Sequence, residues 1–131
     1  MKDLVKLAYK AQQNAYVPYS NFAVGAALLC KNKKVYLGCN IESGTYTPTS
    51  CAERTAFFKA VSEGEREFEA IAIVGNMVGQ EGDFCAPCGV CRQVMTEFCQ
   101  PEFKVILGKG EEYKVYTLEE IMPFGVNPLK K

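Results

Sequence analysis

Residues 70–74, Ala-Ile-Ala-Ile-Val, contain no polar side chain. A strand with one wet face alternates apolar and polar residues, so an unbroken apolar run reads as a central strand covered on both faces. The neighbouring segments supply the covers. Leu4, Leu7, Ala8, Ala11 and Ala15 recur at helical spacing among lysines and glutamines, which predicts an amphipathic helix over 3–15. Residues 51–62 place Phe57, Ala60 and Val61 on one side of a second helix, closed by Gly64. A third, from 88 to about 99, gathers Cys91, Val94, Met95 and Phe98 on one face. The runs 24–30 and 35–39 flank a Lys31-Asn32-Lys33 turn and predict a β-hairpin. Two more strands are expected over 103–107 and 113–116, and Thr117 caps a last short helix. The order α-β-β-α-β-α-β-β-α implies an α/β fold, a three-layer α-β-α sandwich around one mixed five-stranded sheet. No repeat or linker interrupts the 131 residues, so a single domain over 1–131 is expected.

The chain has no histidine, which removes Ser-His-Asp catalysis, Cys-His catalysis and every His-ligated metal site. Any metal chemistry must rest on sulfur and carboxylate. Fifteen basic and 15 acidic side chains cancel, whereas proteins that grip phosphate backbones carry a basic excess, so no nucleic-acid partner is expected. There is no signal-peptide pattern and no run near the roughly 18 apolar residues of a membrane span. A cytoplasmic protein without membrane contact is the expectation, with its seven cysteines reduced.

Two cysteine motifs open two of the expected helices: Cys51-Ala52-Glu53 and Pro87-Cys88-Gly89-Val90-Cys91. Cys88 and Cys91 can hold one metal from two corners, and Cys51 supplies a third if its helix starts alongside. Three protein ligands leave one tetrahedral position open, the mark of a catalytic zinc. Glu53 falls two residues beyond Cys51 and so lies near the metal without sharing its face of the helix. A carboxylate there can take a proton from water and pass it on. Helix N-termini and Arg54, with Arg92 as a further candidate, would offset the negative charge of three thiolates. Cys30, Cys39 and Cys99 read as ordinary buried thiols. Two other readings use Cys85. With Cys88 and Cys91 it begins a ferredoxin-like Cys-x₂-Cys-x₂-Cys pattern, which Met95 breaks. Alternatively it fills the fourth corner of a non-catalytic zinc module.

The motifs Tyr19-Ser-Asn-Phe-Ala-Val-Gly-Ala26, Gly38-Cys-Asn-Ile-Glu42, Cys51-Ala-Glu-Arg-Thr-Ala56 and Pro87-Cys-Gly-Val-Cys-Arg-Gln-Val94 together resemble the cytidine deaminase family, of the small kind with three cysteine ligands. The resemblance runs from about Leu7 to Pro123. It implies one Zn²⁺ per chain on Cys51, Cys88 and Cys91, with Glu53 as the proton carrier. It further implies that Phe22 stacks on the pyrimidine, that Asn40 and Glu42 bond the ribose hydroxyls, and that backbone groups of Ala52 read the base. Gly44 and Tyr46 match a loop that reaches a neighbouring subunit's site in a homotetramer. The implied reaction is hydrolysis of cytidine or 2′-deoxycytidine to the uridine product and ammonia, in pyrimidine salvage. A nucleoside antibiotic such as blasticidin is the alternative substrate within the class. Two positions depart from the pattern: Ala86 stands where a serine is usual, and Val126 where a phenylalanine is common, with Phe124 nearby.

Overall fold

The computed structural model describes residues 1–128. Along the chain lie α1 (Lys2–Gln12), β1 (Phe22–Cys30), β2 (Val35–Cys39), α2 (Ala52–Ser62), β3 (Phe68–Met77), α3 (Gly89–Phe98), β4 (Lys104–Lys109), β5 (Glu112–Thr117) and α4 (Leu118–Ile121). The five strands form one sheet in the order β2-β1-β3-β4-β5. Only β3 and β4 are parallel, joined through α3, so the sheet is mixed. The apolar run 70–74 is the middle of the central strand, as its composition requires.

Helix α1 covers one face, burying Leu4, Val5 and Ala8 against Ala27, Ala70, Ala72, Val74 and Ile106. The other three helices share the opposite face. There Phe57 of α2 packs edge-on against Phe68 at 5.2 Å and stacks with Phe98 of α3 at 6.3 Å. Helix α4 opens with a reciprocal cap, in which Thr117 Oγ1 accepts from Glu120 N and Glu120 Oε1 accepts from Thr117 N. No helix among the described residues is long and apolar enough to cross a membrane.

The first helix ends at Gln12, three residues before the expected end. Tertiary pairing wins there. Tyr16 N donates to Asn40 O, and Glu42 N donates to Tyr16 O, which pulls the chain into extended pairing beyond β2. Strand β3 extends from the expected 70–74 to Phe68 and Met77 because β1 pairs along its whole length, from Cys30 with Phe68 to Phe22 with Met77. That longer ladder brings Phe22 into the sheet at the end where β3 finishes.

Two glycines on neighbouring strands set how closely helices approach. A Cβ on Gly25 would lie 2.0 Å from Ala8 O of α1, and one on Gly38 would lie 2.4 Å from Ala52 O of α2. Gly38 thus lets the first turn of α2 rest directly on β2. A Gly38→Ala substitution must push that turn away, and we expect a cost of about 3 kcal/mol by thermal unfolding, together with lost metal. Gly64→Ala, at φ +99° with open space around it, should cost about 1 kcal/mol and leave the metal in place.

Candidate metal centre

Helices α2 and α3 start side by side. Cys51 is the N-cap of α2 and Cys88 the N-cap of α3, both in extended backbone, and neither spends its side chain on capping. Cys91 lies in the first turn of α3 and is buried. The three Sγ atoms fall within 4.8 Å of one another, with Cys51 to Cys88 at 3.7 Å and Cys88 to Cys91 at 3.4 Å. A tetrahedral zinc with Zn–S bonds of about 2.3 Å sets its sulfurs about 3.8 Å apart, so the donor set fits that ion. Among the described residues, this is the one cluster of three or more potential ligands.

The electrostatics ask for a cation. The hydrogen bond from Cys91 pulls the Cys51 thiol down to about 5; burial opposes this, and Arg54 Nη2, 3.3 Å from Cys51 Sγ, adds to it. The same Cys51 contact, with burial, pushes Cys91 well up. One thiolate is easily formed and a second is resisted, until a positive ion joins them. Glu53, only 4% exposed, is the buried charged residue beside them. Burial pushes its carboxyl up to about 7, into the range where a group both takes and gives protons near neutrality.

Residues 1–107 match the family model for the cytidine and deoxycytidylate deaminase zinc-binding region. The chain belongs to this family. It is 51% identical to the cytidine deaminase of Sporosarcina psychrophila over 125 residues, covering 94% of this chain and 88% of that one. It is 49% identical to that of Halalkalibacterium halodurans, covering 92% and 89%. The crystal structure of the Burkholderia pseudomallei cytidine deaminase superposes with a TM-score of 0.86 at 43% identity, covering 95% of this chain and 97% of that one. Zinc is accordingly the metal of this deaminase, and the cluster of Cys51, Cys88 and Cys91 is chemically suited to hold it.

Cys85 is not in the cluster. Its sulfur packs where a Cβ on Gly75 would lie, 2.9 Å away, next to the Phe22 ring. Burial pushes its thiol up to about 11. Because its sulfur lies outside the three-sulfur cluster, both readings that needed Cys85 as a ligand lose it. Cys30 and Cys99 are buried in the core and pushed up by that burial. Cys39, expected to be buried with them, is only half-buried at the end of β2 and lies in neither core cluster, though desolvation pushes it up too. Arg92 is a tie rather than a counter-charge, with Nε donating to Pro87 O and Nη1 to Ile121 O. It anchors the approach to Cys88 against α4.

The substrate-side candidates line the same sheet end. Phe22 begins β1, half-buried, and Ala52 is fully buried at the start of α2. Asn40 and Glu42 follow β2, and both already carry hydrogen bonds. Asn40 Oδ1 accepts from Val24 N and its Nδ2 donates to Phe22 O. Glu42 accepts from Tyr19 N, Ser20 N and Ser20 Oγ, and the Ser20 hydroxyl holds its carboxyl below the usual range. Gly44 and Tyr46 stand apart, exposed on the loop 43–49, with Tyr46 at φ 64° and 78% exposed. Sequence reasoning missed Ser20 and the packing role of Cys85. Ser20 lies within the Tyr19–Ala26 motif, but nothing in the sequence marks its contact with a residue 22 positions on.

The purified protein should carry about one zinc per chain and no colour. Cys51→Ser, Cys88→Ser and Cys91→Ser should each weaken zinc binding more than about 100-fold in a chelator competition, while Cys85→Ser keeps parental affinity. Zinc lost from Cys85→Ser would return that residue to the ligand set.

Proposed function

We propose that the chain, acting as one catalytic domain over 1–131, hydrolyses the 4-amino group of cytidine and 2′-deoxycytidine to give the uridine product and ammonia. The observation that carries this reading is a buried carboxylate, Glu53, two residues from a thiol that shares a three-sulfur cluster. Zinc on Cys51, Cys88 and Cys91 would supply a Lewis acid that makes a water acidic at neutral pH. Glu53 would take one proton from the attacking water and deliver it to ring N3 while the water oxygen bonds to C4. It would then move the remaining hydroxyl proton to the amino nitrogen, which leaves as ammonia as the C4–N bond breaks and the C4 carbonyl forms, so one carboxylate serves as base and acid in turn. Arg54 holds positive charge against Cys51 and offsets the excess negative charge of the thiolates.

Hydrogen-bond capacity supports a sugar-bearing substrate. After its bonds to Phe22 and Val24, the Asn40 amide keeps one N–H donor. After three incoming bonds, the Glu42 carboxylate keeps an acceptor site. One donor and one acceptor side by side suit a hydroxyl, which accepts and donates. Phe22 offers the ring on which a pyrimidine stacks, and backbone groups of Ala52 read its amide edge. The balanced charge suits a free nucleoside rather than a polymer.

A homotetramer with shared sites fits the same reading. Tyr46, Phe124 and Val126 are 78%, 100% and 67% exposed in the single chain, leaving them available to a neighbouring subunit. Gly44 and Tyr46 would then complete a neighbouring site. The cellular setting proposed is pyrimidine salvage in the cytoplasm.

The test is the ultraviolet change on conversion of cytidine to uridine. The zinc-loaded parent should turn over, and Glu53→Gln should keep its zinc yet lose at least about 10³-fold in kcat. Turnover surviving in Glu53→Gln would remove Glu53 from the mechanism, and a zinc-loaded parent inert toward cytidine would overturn the substrate.

A further inference from the structure

Both backbone polar groups of Phe22 are held by side chains outside the β-ladder. Its N–H donates to Ser20 Oγ at 3.1 Å, and its C=O accepts from Asn40 Nδ2 at 2.8 Å. The Ser20 hydroxyl in turn gives its one proton to Glu42 Oε2. Glu42 Oε1 receives Tyr19 N at 3.0 Å and Ser20 N at 3.1 Å. Between Ser20 and Phe22 sits Asn21 at φ 59°, the left-handed conformation that asparagine adopts more readily than most residues and that turns the chain sharply here. The backbone of β3 also lies close to the ring, since a Cβ on Gly75 would come within 3.1 Å of Phe22 Cε1 and 2.9 Å of Cys85 Sγ. The ring's placement therefore depends on the short arch 19–22, and that arch is held by the two residues assigned to the sugar.

We propose that Ser20 is a positioning residue that couples recognition of the sugar to placement of the Phe22 ring under the base. The inference rests on the deaminase reading above. Ser20 is exposed, so in the free protein water competes for its bond to Glu42. A sugar hydroxyl that donates to Glu42 fixes the carboxylate and displaces that water. The fixed carboxylate orients the Ser20 proton, and the serine lone pair then holds Phe22 N–H. The chain needs a group that donates one hydrogen bond while accepting another, which a hydroxyl does and a methyl cannot. Asn40 braces the other side of the same peptide and completes the clamp.

The experiment compares cytidine with 2′,3′-dideoxycytidine on the zinc-loaded parent, Ser20→Ala and Ser20→Thr. In the parent, removing the sugar hydroxyls should lower kcat as well as raise KM, because the base is then poorly held. In Ser20→Ala the same change of substrate should cost about tenfold less in kcat/KM, the non-additivity of groups in one hydrogen-bond network. Ser20→Thr, which keeps the hydroxyl, should return the parental ratio. Equal ratios in the parent and Ser20→Ala would overturn the coupling. So would a pure KM effect in the parent, a reading that stands even if the alanine variant fails to fold. A zinc-loaded parent that does not deaminate cytidine instead sinks the functional reading itself, so the two failures are told apart.

Discussion

Three thiols held within 4.8 Å of one another cannot all ionise without a cation among them. The rest of the architecture meets the conditions this sets. The sulfurs must come from rigid elements, so that they cannot part to relieve repulsion, and they must face positive potential. Cys51 and Cys88 at two helix N-caps and Cys91 in a first turn satisfy both requirements. Unpaired N–H groups and the aligned peptide dipoles face the cluster, and Arg54 adds a full charge on one side. Two helices must therefore begin at one point, and the sheet has to bring them there.

It does so through strand order and two close approaches. The β3–α3–β4 unit is the parallel pair of the sheet, and its crossover helix starts after β3 ends. Helix α2 comes from the other side, after the antiparallel hairpin β1–β2, and settles on Gly38. Because β1 runs antiparallel to β3, the beginning of β1 lies at the end of β3, where Phe22 pairs with Met77. The aromatic ring, the metal cluster and the polar pair Asn40 and Glu42 thus reach one sheet end from four separate stretches of chain. Gly25 performs the matching task on the far face, where α1 seals the sheet against water.

How much of this is legible in the sequence varies with the range of the interaction. The element order, the sheet composition and the zinc cluster follow from local patterns: period, apolar runs and a Cys-x₂-Cys at a helix start. Element ends were less legible. The helix expected to reach residue 15 stops at Gln12, since Tyr16 is recruited by Asn40 and Glu42, which are remote in sequence. Arg92 reads from the sequence only as one candidate counter-charge, and in the fold it binds two carbonyls. Cys85 sits at ferredoxin spacing but lies outside the three-sulfur cluster, with its sulfur close to Gly75 of β3. Ser20 is the extreme case. A serine between a tyrosine and an asparagine has no distinguishing period, and its role depends wholly on the carboxylate that folding brings beside it.

The position of Glu53 shows how a single spacing separates a thiol of the metal cluster from the proposed proton carrier. Cys51 is still in extended backbone, so its side chain leaves before the helical twist begins. Two residues later the helix has turned Glu53 inward, to 4% exposure. A carboxylate so buried ordinarily carries a severe desolvation penalty and stays protonated. Here it also sits in the first turn of α2, where the helix N-terminus favours its charge. The two influences oppose each other and leave the group near neutrality, able to change protonation at little cost. Set one residue earlier it would compete for the metal. Set one turn later it would lose the N-terminal potential and simply stay neutral. The Cys-x-Glu spacing places the carboxylate where a metal centre is close, but where its own proton remains free to move.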